Sequence, residues 1–293
     1  MSTGTNRGAL GLAAGLAALA LAGCGIPRDT PPAMASAQAI PAKWVLAEPG
    51  GRPPRQYARV VEVLGDPFAP RAFSLIAIHA KGIPHRFDDA ALDEAERVAE
   101  LPLGAREDLT HLPFLTIDPA DARDHDDAVW AAPDPDHPGH FRAIVAIADV
   151  SFYVRPGSAL DRAARARGNS VYFPDRVVPM LPEILSADVC SLVEQQPRAV
   201  LACHLAIDAH GKVTSQRFSR AVIRCVTNIA YEEAQRTIDD EAGEWLPVLR
   251  PLWDAWGALS KARAKREPLD LDLPERRVIL DEQGRIAGIH VRE

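Results

Sequence analysis

A group of acidic side chains stands near the middle of the chain, in the stretch LTIDPADARDHDDAVW at residues 115–130. Five aspartates fall within ten positions, with His125 among them, and these are Asp118, Asp121, Asp124, Asp126 and Asp127. Carboxylates this close repel one another and raise each other's pKa unless a cation lies between them. The stretch is therefore either a solvated acidic turn or a site for a strongly positive partner.

The spacing of the acids indicates which cation such a site would bind. A calcium loop of the EF type needs Gly at its sixth position and Glu at its twelfth, but counting from Asp118 gives Arg123 and Val129. Asp118 ends one apolar run and the last three acids precede the next, so a turn could bring carboxylates together from both sides. Mg²⁺ takes carboxylate, water and phosphate oxygens, and two such ions could activate a water and stabilise the leaving oxygen in phosphodiester cleavage.

Strands are predicted on both sides of the acids, at residues 114–117 and 128–132, and a turn follows at 133–140. Residues 142–154, RAIVAIADVSFYV, are apolar nearly throughout, which predicts a buried strand. Strand patterns recur in further segments, which are residues 57–64, 73–79 and 170–173, and two or three strands within 199–226 around a turn at 209–211.

Helices are predicted where capping and acidic residues precede apolar residues at helical spacing, as in residues 88–100. Ser158 with Asp161 forms a second helix start, and that helix ends at Gly168. Two more helices are predicted near residues 230–238 and 244–266. This mixed order predicts the α+β class, and the sequence contains no Gly-rich phosphate loop, GxSxG or HExxH motif.

Composition is that of an ordinary globular protein, with 47% hydrophobic and 25% charged residues in a chain of 293. The formal charge of −7 argues against a protein that coats nucleic acid by bulk electrostatics, and it suits a site that recruits metal cations. No CxxC pair occurs, which argues against a zinc cage. Cys190, Cys203 and Cys225 lie in largely apolar runs and are predicted to be reduced, buried thiols, as in a reducing compartment.

The first 26 residues differ from the rest of the chain. Arg7 precedes an uncharged Ala/Leu/Gly run at residues 8–23, and the run ends in LAGC with Cys24. This pattern is typical of an export signal and resembles the bacterial lipoprotein signal, whose Cys is lipidated; the alternative is a leader from a mis-assigned start. The run is shorter than the ~20 residues that a membrane span needs. Residues 27–56 hold seven Pro and two Gly and are predicted to be an extended linker.

From residue 57 to the end, the sequence resembles a known family. TIDPADARDHDDAV matches its signature, followed in order by VAIADVSFYVRPGSALD, RGNSVYFPDRVVPMLPEILS, CSL, TNIAYEEAQ and LDLDLPE. The family is that of the ribonuclease II/ribonuclease R (RNB) exoribonucleases, and the resemblance is strongest to its bacterial ribonuclease R branch. Its members digest RNA from the 3′ end with Mg²⁺ and release nucleoside 5′-monophosphates, so the resemblance implies that activity here.

The resemblance also implies roles for individual acids. Four of them match the family's active-site positions, and these are Asp118, Asp124, Asp126 and Asp127. By position, the first and the last would bind Mg²⁺ directly, Asp124 would support the metal site, and the chemical step would depend most on Asp126. Asp121 receives no role, and His125 falls at a position that varies within the family.

RNA contacts are implied at a few positions after the acids. Tyr172 matches the family's aromatic residue that stacks on the 3′-terminal base of single-stranded RNA, an interaction worth ~1–3 kcal/mol that tolerates any sequence. A tyrosine packed between strand and loop is the alternative. Four basic residues could contact phosphates, and these are Arg162, Arg165, Arg167 and Arg176. For the first three, a solvated helix face is the alternative. No small-molecule cofactor beyond the metal is implied.

The implied architecture is a partial OB-type (cold-shock-like) β-barrel followed by the N-terminal part of a mixed α/β RNB catalytic domain. The linker at 27–56 would run into the barrel, residues 57–84 would complete its visible part, and residues 85–293 would be the catalytic domain. Because the family's domain continues with helices that supply an Arg and a Glu, we expect the chain to be truncated on its C-terminal side and impaired in activity. Phe152 replaces a His that is common in relatives.

The sequence therefore predicts a cytoplasmic, Mg²⁺-dependent 3′→5′ exoribonuclease. One alternative is a non-catalytic RNA-binding remnant of such an enzyme. A second alternative is a membrane-anchored lipoprotein that carries an RNB-like domain, with Cys24 as its anchor; a membrane is a partner only in that case.

Overall fold

The computed structural model describes residues 44–65, 69–269 and 275–292. The predicted leader with Cys24 and the first part of the predicted linker lie outside these residues. The chain divides into two compact units: one holds the described residues up to Ile83 together with Val278–His290, and the other holds the described residues of Pro84–Arg277 and Val291–Glu293. None of the helices in the described part of the chain is both long and apolar enough to span a membrane.

The first unit contains strands β1 (Trp44–Arg52) and β2 (Arg55–Gly65), which pair antiparallel as a hairpin, and helix α1 (Pro70–Lys81). The strand predicted at 57–64 lies within β2, whereas the apolar run at 73–79 is helical, contrary to the strand pattern. Pro70 in the first turn and Gly82 in the left-handed conformation delimit this helix. Up to residue 83 the described strands form only this hairpin, so the mixed α/β character is shown but the OB-type barrel is not.

The second unit contains most of the regular structure. In chain order its elements are α2 (Asp89–Ala99), β3 (Glu107–Asp108), β4 (Phe114–Asp118), β5 (Asp127–Pro133), β6 (Phe141–Ala148), α3 (Val150–Tyr153), α4 (Ala159–Arg167), β7 (Val171–Phe173), β8 (Arg176–Val178), a π-helix (Ile184–Val189), β9 (Pro197–Ile207), β10 (Val213–Ala230), α5 (Tyr231–Asp239) and α6 (Leu246–Ala264). Two strands near the end of the chain, β11 (Glu275–Leu280) and β12 (Ile286–Arg292), form a separate two-stranded sheet.

The main sheet has the strand order β3-β10-β4-β5-β6-β9. β10 runs parallel to β3 and β4, while the pairs β4–β5, β5–β6, β6–β9 and β9–β10 are antiparallel. Because β10 pairs with both β4 and β9, the five long strands form a closed ring of pairings. Residues 199–226 thus hold two strands, within the predicted range of two or three.

Successive residues of β4 point to opposite sides and enter different cores. Phe114 is fully buried in a cluster that includes Ala91 of α2 and Leu160 of α4. Leu115, also fully buried, packs in a second cluster with Ile238 of α5. Burying a side chain of this size contributes about 1.5–3 kcal/mol. Because β4 is packed on both sides, the backbone that leads to Asp118 at its end is held in place.

The strand predicted at 142–154 is shorter than expected. β6 ends at Ala148, and Val150–Tyr153 form a helical turn. Asp149 explains the break, because its buried carboxylate accepts hydrogen bonds from Arg106 NH1 at 2.9 Å and from Ser151 Oγ at 2.7 Å. The apolar pattern of the sequence does not reveal these partners. The other predicted helices are confirmed, including α4 with its Ser158 cap.

Candidate active site

Four strand ends meet at the acidic stretch. β4 ends at Asp118, and its parallel neighbour β10 ends beside it, with Ala230 opposite Asp118. β5 starts at Asp127, and β6 ends next to the acids, where the Ala148 backbone N–H donates to the Asp126 carbonyl at 2.9 Å. Parallel and antiparallel neighbours place these ends on one edge of the sheet. The turn expected between the two strands therefore places all of the acids at that same edge.

The carboxylates influence one another without forming a tight cage. The pKa of Asp127 is raised, first by partial burial and then by the negative charges of Asp126 and Asp118. Asp118 is half-buried, whereas Asp124 and Asp126 are exposed. Among the residues that the structure describes, no three of these acids bring oxygens within 4.8 Å of one another. The acids thus share one electrostatic environment at the sheet edge but are not drawn together.

His125 lies inside the acidic turn and contacts one of the acids. Its Nδ1 is 2.6 Å from Asp118 Oδ2, and the two side chains are only 15% and 14% exposed. The backbone of His125 is held on both sides, because its N–H donates to Ser191 Oγ at 3.1 Å and its carbonyl accepts from the Leu192 N–H at 2.7 Å. No feature of the sequence assigns His125 a role, because only the folded turn shows which carboxylate it contacts.

Tyr172 of β7 lies next to the same acids. Its ring is 64% exposed, so it is not the packed tyrosine of the alternative interpretation. Its hydroxyl donates to Asp124 Oδ2 at 2.9 Å. The pKa of Tyr172 is raised by partial burial, by this hydrogen bond and by the charges of Asp124 and Asp126. An exposed aromatic ring therefore stands directly beside the carboxylates.

The four basic residues proposed for phosphate contact all have partners on the protein. Arg162 donates to the Gly157 carbonyl at 2.7 Å, and Arg165 pairs with Asp161 at 3.1 Å. The Arg167 guanidinium lies 3.7 Å from the centre of the Phe87 ring and donates to two backbone carbonyls. Arg176 pairs with Asp175 at 3.0 Å. These contacts favour local structural roles over phosphate binding. Asp121, which received no role, is exposed.

The donor set at the sheet edge suits a hard divalent cation. Four carboxylates supply oxygen ligands of the kind that Mg²⁺ prefers. The nearby thiol is no competitor, because burial, followed by the charges of Asp118 and Glu194, raises the pKa of Cys225 to about 12. A thiol must be deprotonated to bind a metal. Cys190 and Cys225 are buried and free as predicted, while Cys203 is half-buried.

Comparison with known proteins identifies the family. The RNB domain matches residues 106–293. Ribonuclease R of Acidithiobacillus ferrooxidans is 42% identical over 232 residues, which cover 76% of this chain and 52% of that protein. Ribonuclease R of Thermotoga maritima is 37% identical over 273 residues, which cover 87% of this chain and 38% of that protein. The chain thus spans about half or less of the length of these curated relatives.

Solved structures agree with the sequence comparison. Mycoplasma genitalium RNase R in complex with ribose methylated single-stranded RNA superposes with a TM-score of 0.74 at 27% identity, covering 80% of this chain and 38% of that one. The complex of the same enzyme with double-stranded RNA gives a TM-score of 0.73, covering 80% of this chain and 43% of that one. Fold, motif order and the domain match together show that the chain belongs to the RNB family of ribonucleases.

Proposed function

We propose that this chain carries the site of a Mg²⁺-dependent 3′→5′ exoribonuclease that releases nucleoside 5′-monophosphates. The observation that supports this most is the placement of Asp118, Asp126 and Asp127 at one sheet edge, where partial burial and then the charges of Asp126 and Asp118 raise the pKa of Asp127. A site that gathers negative charge in this way gains stability when a divalent cation binds. The family membership supports RNA as the polymer on which the site acts.

Within this proposal the four acids have different roles. Asp118, Asp124 and Asp127 would hold Mg²⁺, and Asp126, the exposed acid between them, would be the carboxylate on which hydrolysis most depends. When bound, the metal activates the attacking water and stabilises the leaving oxygen. Three hydrogen bonds of the backbone hold the turn that presents these carboxylates. Two are made by His125, and the third joins the Asp126 carbonyl to the Ala148 N–H.

The proposed partner is the 3′ end of a single-stranded RNA. Tyr172 offers an exposed ring beside the acids, and stacking on such a ring contributes ~1–3 kcal/mol per base. The Mycoplasma genitalium relative was solved with single-stranded RNA, which is compatible with this assignment. Because the proposed substrate is RNA, we place the function in the cytoplasm. The membrane-anchored alternative predicts acylation of Cys24, which mass spectrometry of the purified chain and of Cys24→Ser would detect.

The direct test is incubation of the chain with a 5′-labelled single-stranded oligoadenylate and Mg²⁺. The proposal predicts a ladder that shortens from the 3′ end, with 5′-AMP as the released product, and no reaction in EDTA. Endonucleolytic fragments, or no product from a chain that is folded by circular dichroism and binds RNA, would contradict it. The latter result would instead identify the non-catalytic RNA-binding remnant.

A further inference from the structure

We propose that Asn228 is a positioning residue for the acidic site, acting on the carboxylates through two neighbouring segments. This inference rests on the proposed function, since it concerns the same site. Asn228 lies near the end of β10, directly opposite Thr116 of β4. It is half-buried and lies outside the acidic turn. It is therefore not one of the proposed metal ligands.

The side-chain amide of Asn228 uses both its donors and its acceptor. Its Nδ2 donates to Thr116 Oγ1 at 2.9 Å and to the Leu192 carbonyl at 3.0 Å. Its Oδ1 accepts from the Glu194 backbone N–H at 3.0 Å. One side chain thus connects β10 to β4 and to the segment at residues 191–195. An amide suits this position because it offers two N–H donors and a carbonyl acceptor in one plane.

The two residues that accept hydrogen bonds from Asn228 Nδ2 lead directly to the site. Thr116 is fully buried and precedes Asp118 by two residues, so it lies on the same face of β4. Leu192, also fully buried, donates its N–H to the His125 carbonyl at 2.7 Å. His125 in turn contacts Asp118. Asn228 therefore fixes both ends of the acidic turn, the strand that ends in Asp118 and the backbone next to Asp124 and Asp126.

Glu194 holds Asn228 in place. Its Oε1 accepts from the Asn228 backbone N–H at 2.8 Å and from Thr227 Oγ1 at 2.9 Å. The next residue, Gln195, donates its backbone N–H to the Cys225 carbonyl at 2.9 Å. The segment at 191–195 thus continues along β10, and its contacts with the strand reach from Cys225 to Asn228. Removal of the amide leaves the buried hydroxyl of Thr116 and the Leu192 carbonyl without this donor.

The test uses direct metal binding, because that readout does not require turnover. Mn²⁺ binding to the full chain is titrated by electron paramagnetic resonance for the parent, Asn228→Ala and Asn228→Asp. Loss of a residue that orients metal ligands costs 10–100-fold in affinity, and we expect about that loss in both variants. Ser219→Ala is the matched control. Ser219 also lies in β10 but far from the acidic site, and the substitution removes its hydrogen bond with His204 Nε2. Its Mn²⁺ affinity should equal that of the parent.

Further variants separate positioning from general loss of stability. Glu194→Gln keeps the accepting oxygen and should bind Mn²⁺ like the parent, whereas Glu194→Ala should bind it more weakly. Thr116→Val removes the acceptor at constant shape, and combining it with Asn228→Ala should add little to the loss caused by Asn228→Ala alone. On oligoadenylate, Asn228→Ala should lower kcat with KM unchanged. Urea unfolding confirms that each variant is folded during the assay.

The metal-binding results distinguish a failure of the positioning role from a failure of the proposed function. Parent-like Mn²⁺ affinity in folded Asn228→Ala and Asn228→Asp overturns the positioning role. The same holds if Ser219→Ala loses as much affinity as the Asn228 variants. A parent chain that binds no Mn²⁺ contradicts the proposed function, and the positioning role with it. A parent that binds Mn²⁺ but releases no nucleotide contradicts only the proposed reaction, and the affinities of the variants still decide the role of Asn228.

Discussion

The ion pair between Arg106 and Asp149 provides a sharp test of how the end of β6 is held beside the acids. The Arg106 and Asp149 side chains are only 3% and 4% exposed, and NH1 lies 2.9 Å from Oδ2. Arg106 also donates to the Leu103 carbonyl at 2.8 Å, and its guanidinium lies 4.8 Å from the centre of the Phe152 ring. Asp149 directly follows Ala148, whose N–H binds the Asp126 carbonyl. Arg106→Met keeps most of the packing but removes the buried positive partner of Asp149, which retains the half-exposed Arg220, with Nε 3.6 Å from Oδ2, and the hydroxyl of Ser151.

Breaking a buried pair from one side costs about 3–5 kcal/mol, because the remaining charge is left uncompensated. We expect Arg106→Met to lower the free energy of unfolding by an amount at the lower end of that range at neutral pH, because Arg220 still faces Asp149 at 3.6 Å. The control is Arg217→Met, since Arg217 pairs with Glu107 at 2.9 Å but is 57% exposed. An exposed pair contributes about 0–1 kcal/mol. Urea unfolding followed by circular dichroism measures both values.

The pH dependence of this loss follows from the pKa of Asp149. Burial alone raises that pKa, but hydrogen bonds from Ser151 and Arg106 outweigh the burial and hold it below its ordinary value. In the parent the contribution of Asp149 is therefore present above the ordinary carboxyl pKa of about 3.9 and is lost as the pH falls through the lower, folded value. In Arg106→Met the buried carboxylate loses its nearest positive charge, so we expect its pKa to rise and the group to take up a proton more readily.

The stability difference between parent and Arg106→Met should therefore shrink as the pH is lowered from 7 towards 4, by up to about 1.4 kcal/mol per pH unit. The double variant Arg106→Leu, Asp149→Leu removes both charges and should recover much of the loss. A loss no larger than that of Arg217→Met, or one that does not change with pH, would refute the account of a buried carboxylate that depends on its partner.

Three further predictions concern the site and its support. Tyr172→Ala should raise KM for oligoadenylate by about 5–150-fold, since stacking is worth ~1–3 kcal/mol. Tyr172→Phe keeps the ring and should have a KM near that of the parent, so equal KM values for the two variants would exclude stacking. Asp127→Asn should abolish nucleotide release and raise the urea midpoint of the metal-free chain, because burial and two negative neighbours disfavour the charge of Asp127. A lower midpoint would show that this charge does not destabilise the metal-free chain. Phe114→Ala should destabilise the chain by about 3–5 kcal/mol because it leaves a cavity in the fully buried core; a loss below about 1 kcal/mol in the same unfolding assay would show that this core does not support β4.

Much of the site's framework could be predicted from local sequence. The apolar runs on either side of the acids identify β4 and β5, and the acids at their ends follow from the chain itself. The same holds for α4, because its Ser158 cap and Gly168 are local signals. The resemblance supplied the order of motifs, which the match of the RNB domain to residues 106–293 confirms at the level of the family.

The parts that could not be predicted depend on contacts between distant residues. β6 ends at Ala148 because Asp149 binds Arg106, 43 positions earlier in the chain. The apolar run at 73–79 fits a strand or a helix, and only the Pro and Gly that flank it favour the helix found in α1. His125 and Asn228 looked unremarkable because their partners, Asp118, Leu192 and Thr116, converge only in the fold.

If the carboxylates at the sheet edge perform metal-dependent removal of 3′-terminal nucleotides, that removal should require both Mg²⁺ and Asp126. The most direct measurement is the release of labelled mononucleotide from a 3′-labelled single-stranded RNA by the parent and by Asp126→Asn, with RNA binding measured in parallel. We expect Mg²⁺-dependent release by the parent, and almost none by an Asp126→Asn variant that still binds RNA. Equal release by both chains, or release that persists in EDTA, would contradict it.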